Sequence, residues 1–73
     1  MYENWYTVIL SLKITDQVFE KIHVWCLANF GIINRPFHRW DWGTGPLGPW
    51  IIFRSNEDYT LFFLAWNEHV KVE

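Results

Sequence analysis

Phe37-His38-Arg39-Trp40-Asp41-Trp42 runs into Gly43-Thr44-Gly45-Pro46-Leu47-Gly48-Pro49 and then into Trp50-Ile51-Ile52-Phe53-Arg54. The outer pieces are short, aromatic and β-branched, which suits strands. The middle piece holds five Gly or Pro in seven residues, which breaks regular structure. A connection this short joins neighbouring antiparallel strands, so the stretch predicts a hairpin with strands over 37–42 and 50–54.

On the C-terminal side, Ser55-Asn56-Glu57-Asp58 reads as a helix start. Ser55 or Asn56 can cap, and Asp58 stands three residues after Ser55 as in a capping box. The helix to about residue 66 or 67 carries Tyr59, Phe62, Phe63 and Trp66 on one stripe. Leu61, Leu64 and Ala65 widen its apolar arc beyond the usual third of the circumference. Complete burial of that arc between the first helix and the sheet is the expected outcome, with an exposed binding surface as the alternative. His69-Val70-Lys71-Val72-Glu73 alternates and suits a short final strand.

On the N-terminal side, Thr15-Asp16 offers a helix cap. Val18, Phe19, Ile22, Trp25, Cys26 and Phe30 follow helical spacing, and Gly31 suits the left-handed position after the last turn. A helix over roughly 16–30 results. Before it, Tyr6, Val8, Leu10, Leu12 and Ile14 alternate with Thr7, Ile9, Ser11 and Lys13, a strand with one core face. The order β-α-β-β-α-β predicts one small α+β domain over 1–73. Its expected form is a ferredoxin-like βαββαβ sandwich, an antiparallel sheet with two helices on one face. A fold without the last strand, or with a different sheet order, is the alternative.

Parity then divides the sheet. Ile51 and Phe53 face the helices, with Trp40 and Trp42, because the opposite choice buries Arg39 and Asp41 and an unpaired buried charge is costly. Ile9, Phe37, Arg39, Trp50, Ile52 and Arg54 fall on the uncovered face, together with Asp41, Lys13 and Lys71. That face has an apolar centre of Trp50, Ile52 and Ile9, near Phe37, inside a mixed-charge rim. This is the composition of a protein–protein interface, in which Trp and Arg are enriched. The competing reading folds Tyr2–Trp5 or the Gly/Pro loop over the face.

The chain has 73 residues, six of them Trp, and its aromatic share is 21%. A domain near this size buries only about 60% of the surface its unfolded chain exposes. Small domains therefore lean on disulfides, metals or partners. One cysteine, Cys26, excludes an internal disulfide and suits a reducing compartment. His23, His38 and His69 lack paired-ligand spacing, so no metal and no cofactor is expected. Oligomerisation or a dense core remains.

Net charge is −2 and the six Lys and Arg are scattered, against the basic stripe of nucleic-acid binders. No apolar run approaches the roughly 20 residues of a membrane span, and Met1-Tyr2-Glu3-Asn4-Trp5 lacks a signal-peptide pattern. A soluble cytoplasmic protein without a membrane partner is expected. Cys26 lies on an apolar stripe and reads as structural. Strand alternation sets His38 on the opposite face from Arg39 and Asp41, so no acid/base cluster forms. The Gly/Pro loop has prolines where a phosphate cradle needs N–H donors. No catalytic residue emerges.

Trp25-Cys26, Asn29-Phe30-Gly31, then Ile52-Phe53-Arg54-Ser55-Asn56-Glu57-Asp58 running into Leu61-Phe62 and Leu64-Ala65-Trp66, resemble segments of small uncharacterised proteins of tailed bacteriophages. The resemblance covers about half the chain and rests on cap and packing residues. It implies expression in a bacterial host and, by analogy, an accessory protein that binds or inhibits a host protein, or a minor virion component. The expected function is a non-catalytic protein-binding module using the open sheet face, its partner a second copy or a host protein. The alternative is single-strand nucleic-acid binding with Trp50 as the stacking aromatic, as in RNA-recognition sheets.

Overall fold

In the computed structural model, residues 4–71 are described. The central stretch forms the expected hairpin: β2 (Trp40–Gly45) and β3 (Gly48–Phe53) pair antiparallel from Trp40↔Phe53 to Gly45↔Gly48. The breaker-rich segment is therefore mostly strand, and only Pro46 and Leu47 form the turn. Gly48 makes the turn possible. Its φ is +125°, and a Cβ there would lie 2.7 Å from the Leu10 carbonyl oxygen. Pro49 needs no partner for an N–H it lacks, while its carbonyl accepts from Leu10 N–H at 2.8 Å.

β1 (Tyr6–Ile9) pairs antiparallel with β3, giving a three-stranded sheet in the order β1-β3-β2. The expected strand to Ile14 stops early. Ser11 turns the chain, its carbonyl accepting from Ile14 N–H and its hydroxyl from Lys13 N–H. Helix α1 (Asp16–Phe30) has the expected span. Thr15 Oγ1 accepts from Val18 N–H at 3.2 Å, and Gly31, at φ 86°, closes the end by donating to Leu27 O. Helix α2 (Asn56–Trp66) starts at the Ser55 cap, whose hydroxyl accepts from Asp58 N–H at 3.2 Å.

The expected final strand differs. Asn67–His69 form a 3-10 helix, and beyond it a single antiparallel bridge joins Val70 to Leu10. Val72 and Glu73 lie outside the described residues. Among the described residues the architecture is thus α+β, three antiparallel strands with two helices. Phe53 contacts Phe30 of α1 at 5.3 Å and Phe62 of α2 at 5.2 Å between ring centroids. Both helices therefore share one sheet face. The core between them holds Val8, Leu10, Ile22, Cys26, Phe30, Trp40, Ile51, Phe53 and Phe62. Trp40 also donates its indole N–H to Gly31 O at 2.7 Å, tying β2 to the end of α1.

The expected complete burial of the α2 arc is not what forms. Phe62 is the one large apolar side chain of α2 that is fully buried, whereas Leu61, Phe63 and Leu64 stay exposed. Two helices divide three strands between them, and α1 takes the β2 side through Phe19–Trp42 and His23–Trp40 contacts. What remains for α2 accommodates one narrow stripe.

Candidate functional site

The six residues expected to form an interface do not share one exposed patch. Ile9 and Trp50 are register partners on the face away from the helices, and both are half-buried. Ile52 lies on the same face between Thr7 and Asp41, yet it is only 4% exposed. Phe37 is 82% exposed, on the segment before β2. Arg39 and Arg54 are both engaged with the chain itself.

A polar and aromatic cluster forms around Asp41, the register partner of Ile52 on β2. Arg35 donates Nε to Asp41 Oδ2 at 3.0 Å and Nη2 to Oδ1 at 2.9 Å. The same carboxylate accepts Trp42 N–H at 2.8 Å and lies 3.4 Å from His38 Nε2. The His38 ring stands 5.1 Å from that of Trp5, and the Arg54 guanidinium lies 4.8 Å over the Trp5 ring. Arg54 also donates to the carbonyls of His38 at 3.1 Å and Pro36 at 2.7 Å. Trp5 thereby finds its place, packed between His38 and Arg54.

Two expectations are corrected by this cluster. His38 and Asp41 meet instead of facing apart, because strand alternation begins only at Trp40, and 35–37 form a turn with a cis Arg35-Pro36 bond. Asp41 is buried although its parity points away from the helices. Its burial is tolerable because the charge is paired and three donors reach it. The carboxylate also occupies the N–H of Trp42, which points away from β3, so it shields the free edge of β2 from another strand.

Arg39 leaves the sheet face as well. It lies ahead of β2 and grips Asp58 at the start of α2 with two bonds, Nε to Oδ2 at 3.1 Å and Nη2 to Oδ1 at 2.8 Å, with its guanidinium 5.5 Å from the Phe30 ring centre. These bonds raise the pKa of the guanidinium above its ordinary value, and the pair ties the hairpin to the helix layer.

Trp50 lies across Gly43. A Cβ there would run into the ring, and one on Gly45 would lie 3.7 Å from its nearer atoms. One side of the ring is thus taken by the backbone of β2, as when an aromatic covers a strand glycine. Trp50 is fixed by its own sheet.

A His–Asp pair is a component of acid/base sites, but here both side chains are 4% exposed and Asp41 already accepts from Arg35 and Trp42. Cys26 is fully buried, and desolvation pushes its thiol from the ordinary 9.0 up to about 12. The thiolate is the reactive form. At pH 8 a thiol reagent is therefore expected to modify the folded chain at least about a hundredfold more slowly than the chain in denaturant, since reaction must await opening. The folded pKa lies above the unfolded one. The thiol thus has no effect on stability well below pH 9, and stability falls as pH rises from 9 toward 12, where only the unfolded chain ionises. Among the described residues no group of His, Cys, Asp and Glu could hold a metal, and no helix is long and apolar enough to cross a membrane.

Exposed apolar side chains lie both in the connections, at Leu12, Ile32, Phe37 and Leu47, and on the outside of the helix layer. Val24 follows the buried Ile22 by two residues and Leu64 follows the buried Phe62 by two. At about 100° per residue both project away from the sheet. They are 58% and 70% exposed. Between the helices Trp25 stands 6.1 Å from Trp66, edge to face. A groove of about 510 Å³ runs there, with Val24, Trp25, Ala28 and Trp66 as its apolar wall and Glu20 and Lys21 at one side. The α2 arc hinted at this surface in the sequence; the contribution of Val24 had no signal, since it breaks the helical stripe.

No family model matches the chain, and neither a curated protein nor a solved structure matches it.

Proposed function

We propose that this chain is a non-catalytic protein-binding module, acting as a homodimer whose two copies join through the outer surface of the helix layer. The observation that carries the reading is the groove beside α1, with Val24 in its wall and Leu64 of α2 projecting away from the sheet. In a two-fold pairing each patch meets itself, so a knob and a hollow on one surface serve both copies. Glu20 and Lys21 lie at the groove's side, so each copy offers the other both signs of charge. The small size, with no disulfide, supports the same reading. The sheet face is the weaker docking surface, because Ile52, Arg54 and Trp50 are already engaged.

Val24→Asp tests it. The residue is mostly exposed, so folding should be unchanged by circular dichroism. The dimer dissociation constant should rise at least about tenfold, as for a charge set in an apolar contact. An unchanged constant contradicts the reading.

The bacteriophage resemblance supports a further step: a cytoplasmic accessory protein that carries its sheet face or its dimer surface to a host protein. Ferredoxin-like is the finer architectural reading, with the Val70 bridge standing where the fourth strand of that sandwich would lie.

A further inference from the structure

Trp42 packs against α1, yet it stays 39% exposed. Its ring meets the rings of two α1 residues one turn apart. Phe19 lies at 5.4 Å with the planes at 65°, and His23 at 5.9 Å with the planes at 80°. His23 also meets the buried Trp40 at 5.4 Å, which fixes its ring. Phe19, His23 and Trp42 line a hollow of about 220 Å³ together with Asp16 and Glu20. A second hollow of about 320 Å³ adjoins it and shares Asp16, Phe19 and Trp42. No Lys or Arg lines either.

This chemistry selects a cation. The face of an aromatic ring is negative, and a cation within about 6 Å of a ring centre is drawn to it. Rings so steeply inclined, with centres so close, can reach one cation together. Asp16 and Glu20 add full negative charges. The start of α1 opposes them with only about half a positive charge, and Thr15 already takes up Val18 N–H there. The smaller hollow falls short of the roughly 300–1,000 Å³ of sites for whole small molecules, so it suits a single cationic group. A guanidinium or a primary ammonium brings N–H donors that need acceptors, which ring walls do not supply. A quaternary ammonium brings none.

We propose that the hollow formed by Phe19, His23 and Trp42 binds a trimethylammonium group, with Asp16 and Glu20 as its counter-charge. The site does not rest on the dimer; of its residues only Glu20 also borders the groove between the helices.

Titration of the full chain with choline chloride at pH 8, at constant ionic strength and followed by the Trp42 indole N–H signal in NMR, tests it. A saturable shift with a dissociation constant of about 1 mM is expected. Guanidinium chloride, and the uncharged isostere in which a tert-butyl group replaces the trimethylammonium, should each bind at least about tenfold more weakly. Trp42→Leu should weaken choline binding at least about tenfold and Asp16→Asn about threefold, read from other signals of the site. A peptide carrying trimethyllysine is titrated alongside. Tighter binding than choline names a protein as the source and weaker binding a free solute, and either result supports the site. No saturable shift, or equal affinity for the uncharged isostere, overturns the proposal. Tighter binding of guanidinium assigns the hollow to an arginine side chain and overturns it as well. Asp16 is exposed, so Asp16→Asn should fold even where Trp42→Leu does not. Choline affinity that is indifferent to Asp16→Asn also overturns the proposal.

Discussion

Phe62→Ala is expected to remove a large part of the fold's stability, lowering the urea midpoint by several molar or abolishing folding outright. Phe62 is fully buried and stands within ring contact of Phe53 at 5.2 Å and Trp25 at 6.0 Å. It is the large apolar side chain of α2 that is fully buried, while Tyr59 and Trp66 pack against the core beside it only partly buried. Truncating a buried Phe costs about 3–5 kcal/mol. A chain of this length has a total stability of roughly 4–11 kcal/mol. The loss therefore takes a large fraction of what exists. Leu64→Ala, two residues on and mostly exposed, should cost well under about 1 kcal/mol by the same urea titration. Equal effects at the two positions would mean that the face of α2 is misassigned.

The second large effect is expected at Asp41, a residue that looks like surface in the sequence. Asp41→Ala removes the acceptor for Arg35 and for Trp42 N–H and leaves His38 beside an empty site. Arg35 is mostly exposed and can return to water, so the cost comes from the buried remainder, about 2–3 kcal/mol. Asp41→Asn keeps the shape and one acceptor oxygen and should fall between. If Asp41→Ala shifts stability by less than about 0.5 kcal/mol, the cluster around Asp41 is decoration and the sheet face is open after all.

Asp41 also marks where legibility in the sequence stops. The helices were readable because their signals are local: Thr15 and Ser55 cap within three residues, and Gly31 ends α1 with a conformation that glycine adopts freely. The hairpin was readable as a hairpin, but its register was not. Five Gly and Pro residues looked like a long loop, whereas Gly43 is there for the Trp50 ring and Gly48 for the turn and the Leu10 carbonyl. A glycine required by a cross-strand ring has the same letter as one required by a loop. Arg39 and Asp41 were placed on one face by parity. The pairings that decide their positions, to Asp58 and to Arg35, are made by residues outside the strands, where parity has no force. The open face of the sheet consequently seemed larger in the sequence than it is. The α2 arc seemed more buried, because the spacing of Leu61, Phe63 and Leu64 carries no information about how little sheet is left beneath that helix.

The most direct test of the central claim, a dimer through the helix layer, is the solution mass of the purified chain by sedimentation equilibrium across a wide concentration range. One chain weighs 8.9 kDa. A dimer through the helix layer has twice that mass at high concentration and returns to 8.9 kDa in Val24→Asp. A wild-type chain that remains at 8.9 kDa throughout contradicts it.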